Sequence, residues 1–509
     1  MTLLVLLTAC GAWIGFANPF YQLPPAALLL PLGLTVIAAR AKSAGQAMKT
    51  GWIAGTLAAT GCLYWIYIPV QHYGNLPWYL ALPCPLLLAS ALGVYYSLFT
   101  LLMQRACRRF PLALVPLCAG ILWAGMEWCM GHLLTGFPWL TLASAGAPWP
   151  WAVQGAAFVG AYGLSGIFAA LAAGLALCQR SLPALLPTLL LSAAVGLSGW
   201  QHMNPAASQG PAVHVGLIQG NIDQSLKWDP EYQVATVETY TRLSAHALEP
   251  GRLDLLIWPE TAMPFYFQEP SPLRERITSF VRSHGTALLA GAPAYAPATP
   301  PAQPQLLNRA YFLGPDGKEA AHYDKEHLVP FGEYVPLGKW LPLGKLVDSV
   351  GDFSSGRNEQ ALTSGGIALG TLVCYEGIFP ELAQRRVEQG ANLLVSISND
   401  AWFGDSSAPW QHLQLTVLRA VEQGRWLARA TNTGVSLLID PLGRIAARSG
   451  LFTEAAVRGE ARLESGTTIF HRTFKVQTWI LTGAAALVAL ICLLAPAPAE
   501  TRHRLRGRN

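Results

Sequence analysis

Charge is what this chain has least of. Asp, Glu, Lys and Arg supply 12% of its 509 residues, while 52% are hydrophobic. Soluble domains carry roughly 25% charge, so a wholly soluble chain is excluded. Cysteine is nearly missing from the long stretch between Trp200 and the last apolar run. Eight cysteines (Cys10, Cys62, Cys84, Cys107, Cys118, Cys129, Cys178 and Cys492) lie in or beside apolar segments, and Cys374 stands alone. A disulfide framework is therefore excluded in that stretch, and a thiol without a partner is either an inert buried residue or one kept for chemistry. The histidines show no spacing of the H-E-x-x-H kind, so no metal is expected. No basic residue precedes Leu3. Leu7-Thr8-Ala9-Cys10 is thus not expected to be a signal cleavage site, and Cys10 reads as part of a first span. Internal repeats are absent, and 293–304 is the one Pro/Ala-rich tract.

What is present in quantity is apolar length. Runs at 3–16, 23–39, 52–70, 78–103, 112–130, 152–177, 182–199 and 479–494 each approach the roughly 20 residues of a bilayer crossing, giving about eight expected spans. Arg40, Lys42 and Lys49 follow the second run, Arg105, Arg108 and Arg109 the fourth, Arg180 the sixth, and Arg502, Arg504, Arg506 and Arg508 the last. The alternate loops 17–22 and 71–77 carry no Lys or Arg. The positive-inside rule then places both termini in the cytoplasm and 201–475 on the opposite side, the periplasm of a bacterial inner membrane. The expected division is a seven-helix membrane domain over 1–200, a periplasmic catalytic domain over 210–472, a transmembrane helix over 476–496 and a basic cytoplasmic tail over 497–509. The net charge of +5 resides in these anchors and does not suggest nucleic-acid binding.

Between the seventh and last runs, strand-like and helix-like patterns alternate. Strands are expected at 213–219, 253–258, 287–292, 309–313, 367–375, 392–398 and 435–439, and helices at 231–247, 272–284, 380–389 and 412–430. Such alternation predicts an α/β domain with large buried sheets. Three of the strand-like runs end in chemistry. Glu260 closes Trp258-Pro259-Glu260-Thr261, where partial desolvation suits a general base. Lys325 lies in Tyr323-Asp324-Lys325-Glu326-His327, and Cys374 is followed by Tyr375 and Glu376. Singly, these read equally as a capping glutamate, a solvated lysine and a small buried residue. Jointly, a carboxylate, an ammonium and a thiol at three strand ends of one domain describe an activated nucleophile.

These residues carry a resemblance. The segment after Trp200 resembles the nitrilase superfamily, and the whole chain is similar to the bacterial apolipoprotein N-acyltransferase family. The motifs are Gly136-Phe137-Pro138-Trp139-Leu140, Ile218-Gln219-Gly220-Asn221-Ile222 with Lys227-Trp228, Trp258-Pro259-Glu260-Thr261, the block from Tyr323 to Pro336, Cys374-Tyr375-Glu376, Ser398-Asn399-Asp400-Ala401-Trp402-Phe403 and 425–434. The resemblance implies a four-layer α-β-β-α sandwich fused to a multi-pass helical membrane domain. It also implies transfer of an acyl chain from a phospholipid to the α-amino group of the diacylglyceryl-cysteine of an apolipoprotein. Glu260 would be the general base, Cys374 the thioester carrier and Lys325 the oxyanion stabiliser. Glu333 and Glu376 would orient Lys325 and tune proton traffic, and the N–H of Tyr375 would complete the oxyanion hole. The implied partners are the phospholipid donor, the apolipoprotein acceptor and membrane lipids, with the enzyme a monomer that needs no cofactor.

A chain whose substrates carry fatty tails must hold its nucleophile at the bilayer surface. Trp139, Trp340, Leu341, Trp402 and Phe403 are expected to contact lipid, with 331–346 as a gating loop; packing within the sandwich is the other reading of these aromatics. A membrane-anchored amidase of nitrilase type shares the triad but hands the acyl group to water. A transporter predicts charged residues along a membrane path, and only Glu127 and His132 stand out.

Overall fold

The computed structural model describes residues 1–74, 76–203, 210–223, 230–296, 304–335 and 353–494. Its first half is helical: α1 (Thr2–Gly15), α2 (Leu29–Arg40), α3 (Ala44–Cys62), α4 (Cys84–Arg109), α5 (Val115–His132), α6 (Ala156–Leu177) and α7 (Leu182–His202). The apolar runs all became helices, yet length separates them. Among the described residues, five helical stretches are long and apolar enough to cross a membrane: 78–109, 115–135, 156–177, 182–201 and 469–494. A sixth follows if α3 and the helical segment Tyr64–Tyr73, bent by 60° from it, form one span. The first two runs give the shorter apolar helices Thr2–Gly15 and Pro24–Arg40, so five or six of the about eight expected spans reach this length among the described residues. The helices pack through small residues. A Cβ on Gly120 of α5 would lie 2.7 Å from the Gly166 carbonyl of α6, and one on Gly166 equally close to that of Gly120. Backbones that approach this closely are typical of helix association in lipid.

Among its described residues, the second half has twelve strands and five α-helices. The strands are β1 (Ala212–Gln219), β2 (Leu255–Ile257), β3 (Ala287–Ala296), β4 (Gln305–Leu313), β5 (Glu319–Asp324), β6 (Leu362–Ser364), β7 (Ile367–Val373), β8 (Leu393–Ser398), β9 (Leu427–Thr431), β10 (Leu437–Ile439), β11 (Ile445–Arg448) and β12 (Ala455–Arg462). They form two six-stranded sheets, ordered β12-β1-β2-β3-β4-β5 and β11-β10-β9-β8-β7-β6. Strand alternation builds the layers. Leu255 and Ile257 of β2, with Leu393, Val395 and Ile397 of β8, fill the space between the sheets. Leu256, between the first two, faces α8 (Pro230–Leu248) and α9 (Pro272–His284), which cover one outer face. Leu394 faces α10 (Pro380–Glu388) and α11 (Ala408–Gln423) on the other. The result is the expected α-β-β-α sandwich, followed by α12 (Ile469–Leu494).

Local chemistry explains the boundaries. Ser271 caps α9 by accepting from the Arg274 N–H, Pro272 occupies its first turn, and Gly285 ends it with φ +59°. The helix expected over 412–430 is a correction. Gly424, at φ +60°, terminates α11, and the chain re-enters the sheet as β9. β5, β6, β11 and β12 escaped the sequence reading, because they are short or carry too few apolar residues to show an alternation.

The layer made by α10 and α11 rests on the helical half in one continuous apolar core. Its polar contacts are specific. Gln411 of α11 accepts from both Trp65 Nε1 (3.1 Å) and Trp139 Nε1 (2.8 Å), and donates to the carbonyls of Ala17 (3.2 Å) and Cys62 (3.0 Å). Every hydrogen-bonding capacity of this amide is used, and flipping it would oppose donor to donor and acceptor to acceptor. Glu422, also on α11, accepts from the Ala161 N–H (2.7 Å) where α6 breaks at Gly160, φ +68°. The two polar residues that stood out in the spans are likewise tied down. Glu127 accepts from Trp123 Nε1 and the Leu142 N–H, and His132 Nε2 lies 3.1 Å from Glu381 of α10.

Candidate active site

Three polar side chains converge at strand ends. Glu260 stands three residues beyond β2, Lys325 directly follows β5, and Cys374 directly follows β7. Since β2 and β7 lie in the parallel parts of their sheets, Glu260 and Cys374 emerge where α/β folds open their ligand crevices.

Lys325 is 1% exposed. Its Nζ lies 2.9 Å from Glu333 and 3.7 Å from Glu260 Oε1. Burial alone would drive its pKa down, but Glu333 and Glu260 outweigh it, so the ammonium is held above the ordinary lysine value. Glu260 Oε1 accepts from Asn308 Nδ2 (2.7 Å), and Oε2 from the Asn399 N–H (2.9 Å). Asn308 also reaches Glu333 (3.2 Å), and its carbonyl accepts from the Lys325 N–H. The β4 asparagine thus sets both carboxylates against one ammonium.

Cys374 is 7% exposed and has φ +54°, a left-handed conformation that costs an L-residue roughly 1–2 kcal/mol. It begins a short 3-10 turn, Cys374–Ile378, at the edge of the inter-sheet core. Burial first, then the charge of Glu260, push its thiol above the ordinary cysteine range, against the opposing pull of Lys325. The Cys374 thiol thus sits beside a carboxylate and an ammonium, with burial favouring its neutral form.

Glu376 is fully buried, but its hydrogen bonds go to a different place from the one expected. Its carboxylate accepts from the Tyr323 hydroxyl and from the N–H groups of Val373, Glu326 and His327. It ties the backbone before Cys374 to the backbone after Lys325, so it acts on both residues through their main chains. Tyr375 donates its hydroxyl to the Gly136 carbonyl (2.7 Å) and lies near-parallel to the Trp139 ring. The Gly136–Trp139 motif of the helical half thus packs onto the Cys374–Ile378 turn.

The expected lipid contacts divide. Trp139 is 2% exposed, surrounded by Trp65, Phe137, Tyr375, Phe403 and His412, and presents no surface to lipid. Phe403 is partly buried against Trp65 and Trp139; Trp402 is partly exposed and meets the edge of Tyr73. Trp340 and Leu341, with the loop from 336 onward, lie outside the described residues, as do Lys227 and Trp228. Asn308, Gln411 and His412 were not singled out from sequence. The one available signal was a polar residue inside an otherwise apolar strand or helix.

Known proteins match along nearly the whole chain. Residues 214–467 fit the carbon-nitrogen hydrolase family, and residues 10–174 fit the apolipoprotein N-acyltransferase N-terminal domain. A protein named apolipoprotein N-acyltransferase from Geobacter metallireducens is 40% identical over 494 residues, covering 94% of this chain and 90% of its own. One of the same name from Azotobacter vinelandii is 36% identical, covering 98% of each. Among solved structures, an amidase from Nesterenkonia sp. aligns with 54% of this chain and 99% of its own, at 21% identity and a TM-score of 0.40.

Proposed function

This chain belongs to the apolipoprotein N-acyltransferase family, and from that premise we propose that it works through a thioester on Cys374. It is a membrane acyltransferase that N-acylates lipoproteins, with phospholipid as the acyl source. In the first half-reaction, the Cys374 sulfur attacks the ester carbonyl of the phospholipid while its proton passes to Glu260. The Lys325 ammonium and the N–H of Tyr375 receive the oxyanion. The C–O bond then breaks, Glu260 returns the proton to the glycerol oxygen, and lysophospholipid leaves. In the second, the α-amino group of the diacylglyceryl-cysteine attacks the thioester. Glu260 takes a proton from nitrogen, the C–S bond breaks, and the thiol is restored. Glu333 keeps Lys325 charged and aimed.

The observation that supports this most is the buried Glu260–Lys325–Glu333 cluster beside a thiol presented on a positive-φ turn. The test is mass spectrometry of purified enzyme incubated with phospholipid alone. An acyl mass on the Cys374 peptide, removed by hydroxylamine, is expected together with lysophospholipid released before any acceptor is added. Acyl transfer only when donor and acceptor are both present, with no acylated peptide, would exclude the two-step route.

We place 1–200 and 476–496 in the bacterial inner membrane, 210–472 in the periplasm, and both termini, with the tail 497–509, in the cytoplasm, on the distribution of Lys and Arg. Fusions of a periplasm-active reporter after Gly199 should be active and those after Arg506 inactive. The reverse pattern would invert the orientation.

A further inference from the structure

Beneath the nucleophile turn lies a buried ionic triad with no part in the reaction steps above. Asp400, His412 and Arg429 are each at most 1% exposed. Arg429 Nη2 stands 2.8 Å from Asp400 Oδ2 and 3.0 Å from His412 Nδ1, and the Ser398 hydroxyl donates to Asp400 Oδ1 (2.6 Å). The other ring nitrogen, Nε2, is 3.1 Å from the backbone carbonyl of Cys374.

The partner of Nε2 fixes its proton. A carbonyl only accepts, so Nε2 carries the proton and donates. Nδ1 lies between two groups, Arg429 Nη2 at 3.0 Å and Asp400 Oδ1 at 3.2 Å, and the Nε2–H donation stands whichever of them it serves. Burial and the neighbouring Arg429 lower the pKa of His412 against the opposing pull of Asp400. Asp400 is held below the ordinary carboxylate range, because the charge of Arg429 outweighs its burial. The imidazole therefore presents an Nε2–H donor to one carbonyl.

That carbonyl belongs to the peptide joining Cys374 to Tyr375. In a planar trans peptide, C=O and N–H point in opposite directions. Fixing the oxygen on His412 turns the Tyr375 N–H toward the other side of the peptide. At the first turn of a helix this N–H has no partner within the turn, so it is open to an incoming oxyanion. Cys374 holds an unfavourable φ, and such a peptide plane relaxes unless something restrains it.

We infer that His412 is a positioning residue for the oxyanion hole, holding the Cys374–Tyr375 peptide so that the Tyr375 N–H faces the acyl oxyanion. The inference rests on the reading of Cys374 as the acyl carrier. The mounting of His412 suits the task. Its neighbour Gln411 is locked by four hydrogen bonds to the helical half, and Trp139 covers the imidazole at 5.5 Å between ring centres. A shift of α11 along its axis would break those bonds and carry the imidazole off the carbonyl.

The experiment compares two reactions at Cys374 in the full-length protein, read on the Cys374 peptide. A water-soluble p-nitrophenyl ester acylates the thiol through an oxyanion. Iodoacetamide alkylates it by displacement at carbon, with no oxyanion formed. His412→Leu and His412→Asn, whose side chains cannot reach the carbonyl with a donor, should lose about 10²–10³ in acylation, while alkylation changes less than about threefold. His412→Gln, whose amide nitrogen reaches the place of Nε2, should stay within about tenfold of wild type in both reactions. Equal losses in the two reactions would make His412 merely structural and overturn the inference, as would unimpaired acylation in the leucine variant. If the leucine variant fails to fold, the asparagine and glutamine variants decide: equal acylation rates in those two would overturn it. If the ester leaves the Cys374 peptide of the wild type unmodified, the nucleophile assignment fails instead, and the two failures are distinct.

Discussion

Cys374→Ala is expected to abolish turnover and to leave no acyl group on the protein after incubation with phospholipid. Loss of a covalent nucleophile removes the whole two-step route, and losses of about 10⁴–10⁶ are typical. The fold should survive. The side chain is small and stands at the edge of the inter-sheet core, so its removal costs on the order of 1 kcal/mol. A thermal unfolding midpoint close to wild type, with rate and acyl adduct both gone, is the expected pair of results. Substantial transfer by the variant would refute the nucleophile assignment. The wild-type thiol carries its own signature. Burial and Glu260 hold its pKa above the ordinary range, so the thiolate fraction keeps growing where a free cysteine is already fully ionised. Iodoacetamide labelling of Cys374 should therefore continue to rise above about pH 10.5, roughly two units past the ordinary thiol pKa of about 8.5, where a free cysteine has levelled off. A plateau at or below that pH would mean that Lys325 dominates over burial.

Lys325→Met is expected to damage both rate and stability. The rate falls because the oxyanion loses its cation, a loss on the order of 10²–10³. Stability falls because Glu260 and Glu333 are left buried around a missing charge, which costs about 3–5 kcal/mol for a broken buried pair. The pH sign follows from the direction of the shift. A lysine pKa raised by folding contributes stability that is fully present below the unfolded value of about 10.4 and is lost only as pH climbs through the higher folded value. The wild-type contribution is therefore constant across neutral pH. Adding Glu333→Gln to Lys325→Met removes one of the stranded carboxylates. It should recover part of the unfolding midpoint and none of the rate, and that split separates the two roles of Lys325. A single variant within about tenfold of wild-type rate would reduce Lys325 to a structural ion-pair partner.

Much of this molecule was legible because it is written locally. Apolar length marks the helical half, since lipid demands it over consecutive residues. Continuous apolar runs mark buried strands such as β2 and β8, and Glu260 and Cys374 each sit where such a run turns polar. Where the local signal was thin, the reading failed. β9 hid behind a helical pattern that ends at Gly424, and β5, β6, β11 and β12 carry too few apolar residues to announce themselves. The first two apolar runs form shorter apolar helices than the other runs.

The sequence by itself pointed to the family, to the kind of chemistry and to Glu260, Lys325 and Cys374 as the candidates for it, because each reads from neighbours a few positions away. Tertiary structure decided the rest. It set the raised pKa of the Cys374 thiol, through burial beside Glu260; the backbone-holding place of Glu376; the burial of Trp139; and the grip of His412 on the Cys374 carbonyl. Each depends on partners far apart in the chain, as when Gln411 meets Ala17 across 394 positions. Periodicity reports which face of an element is buried, and only packing determines which distant group it is buried against.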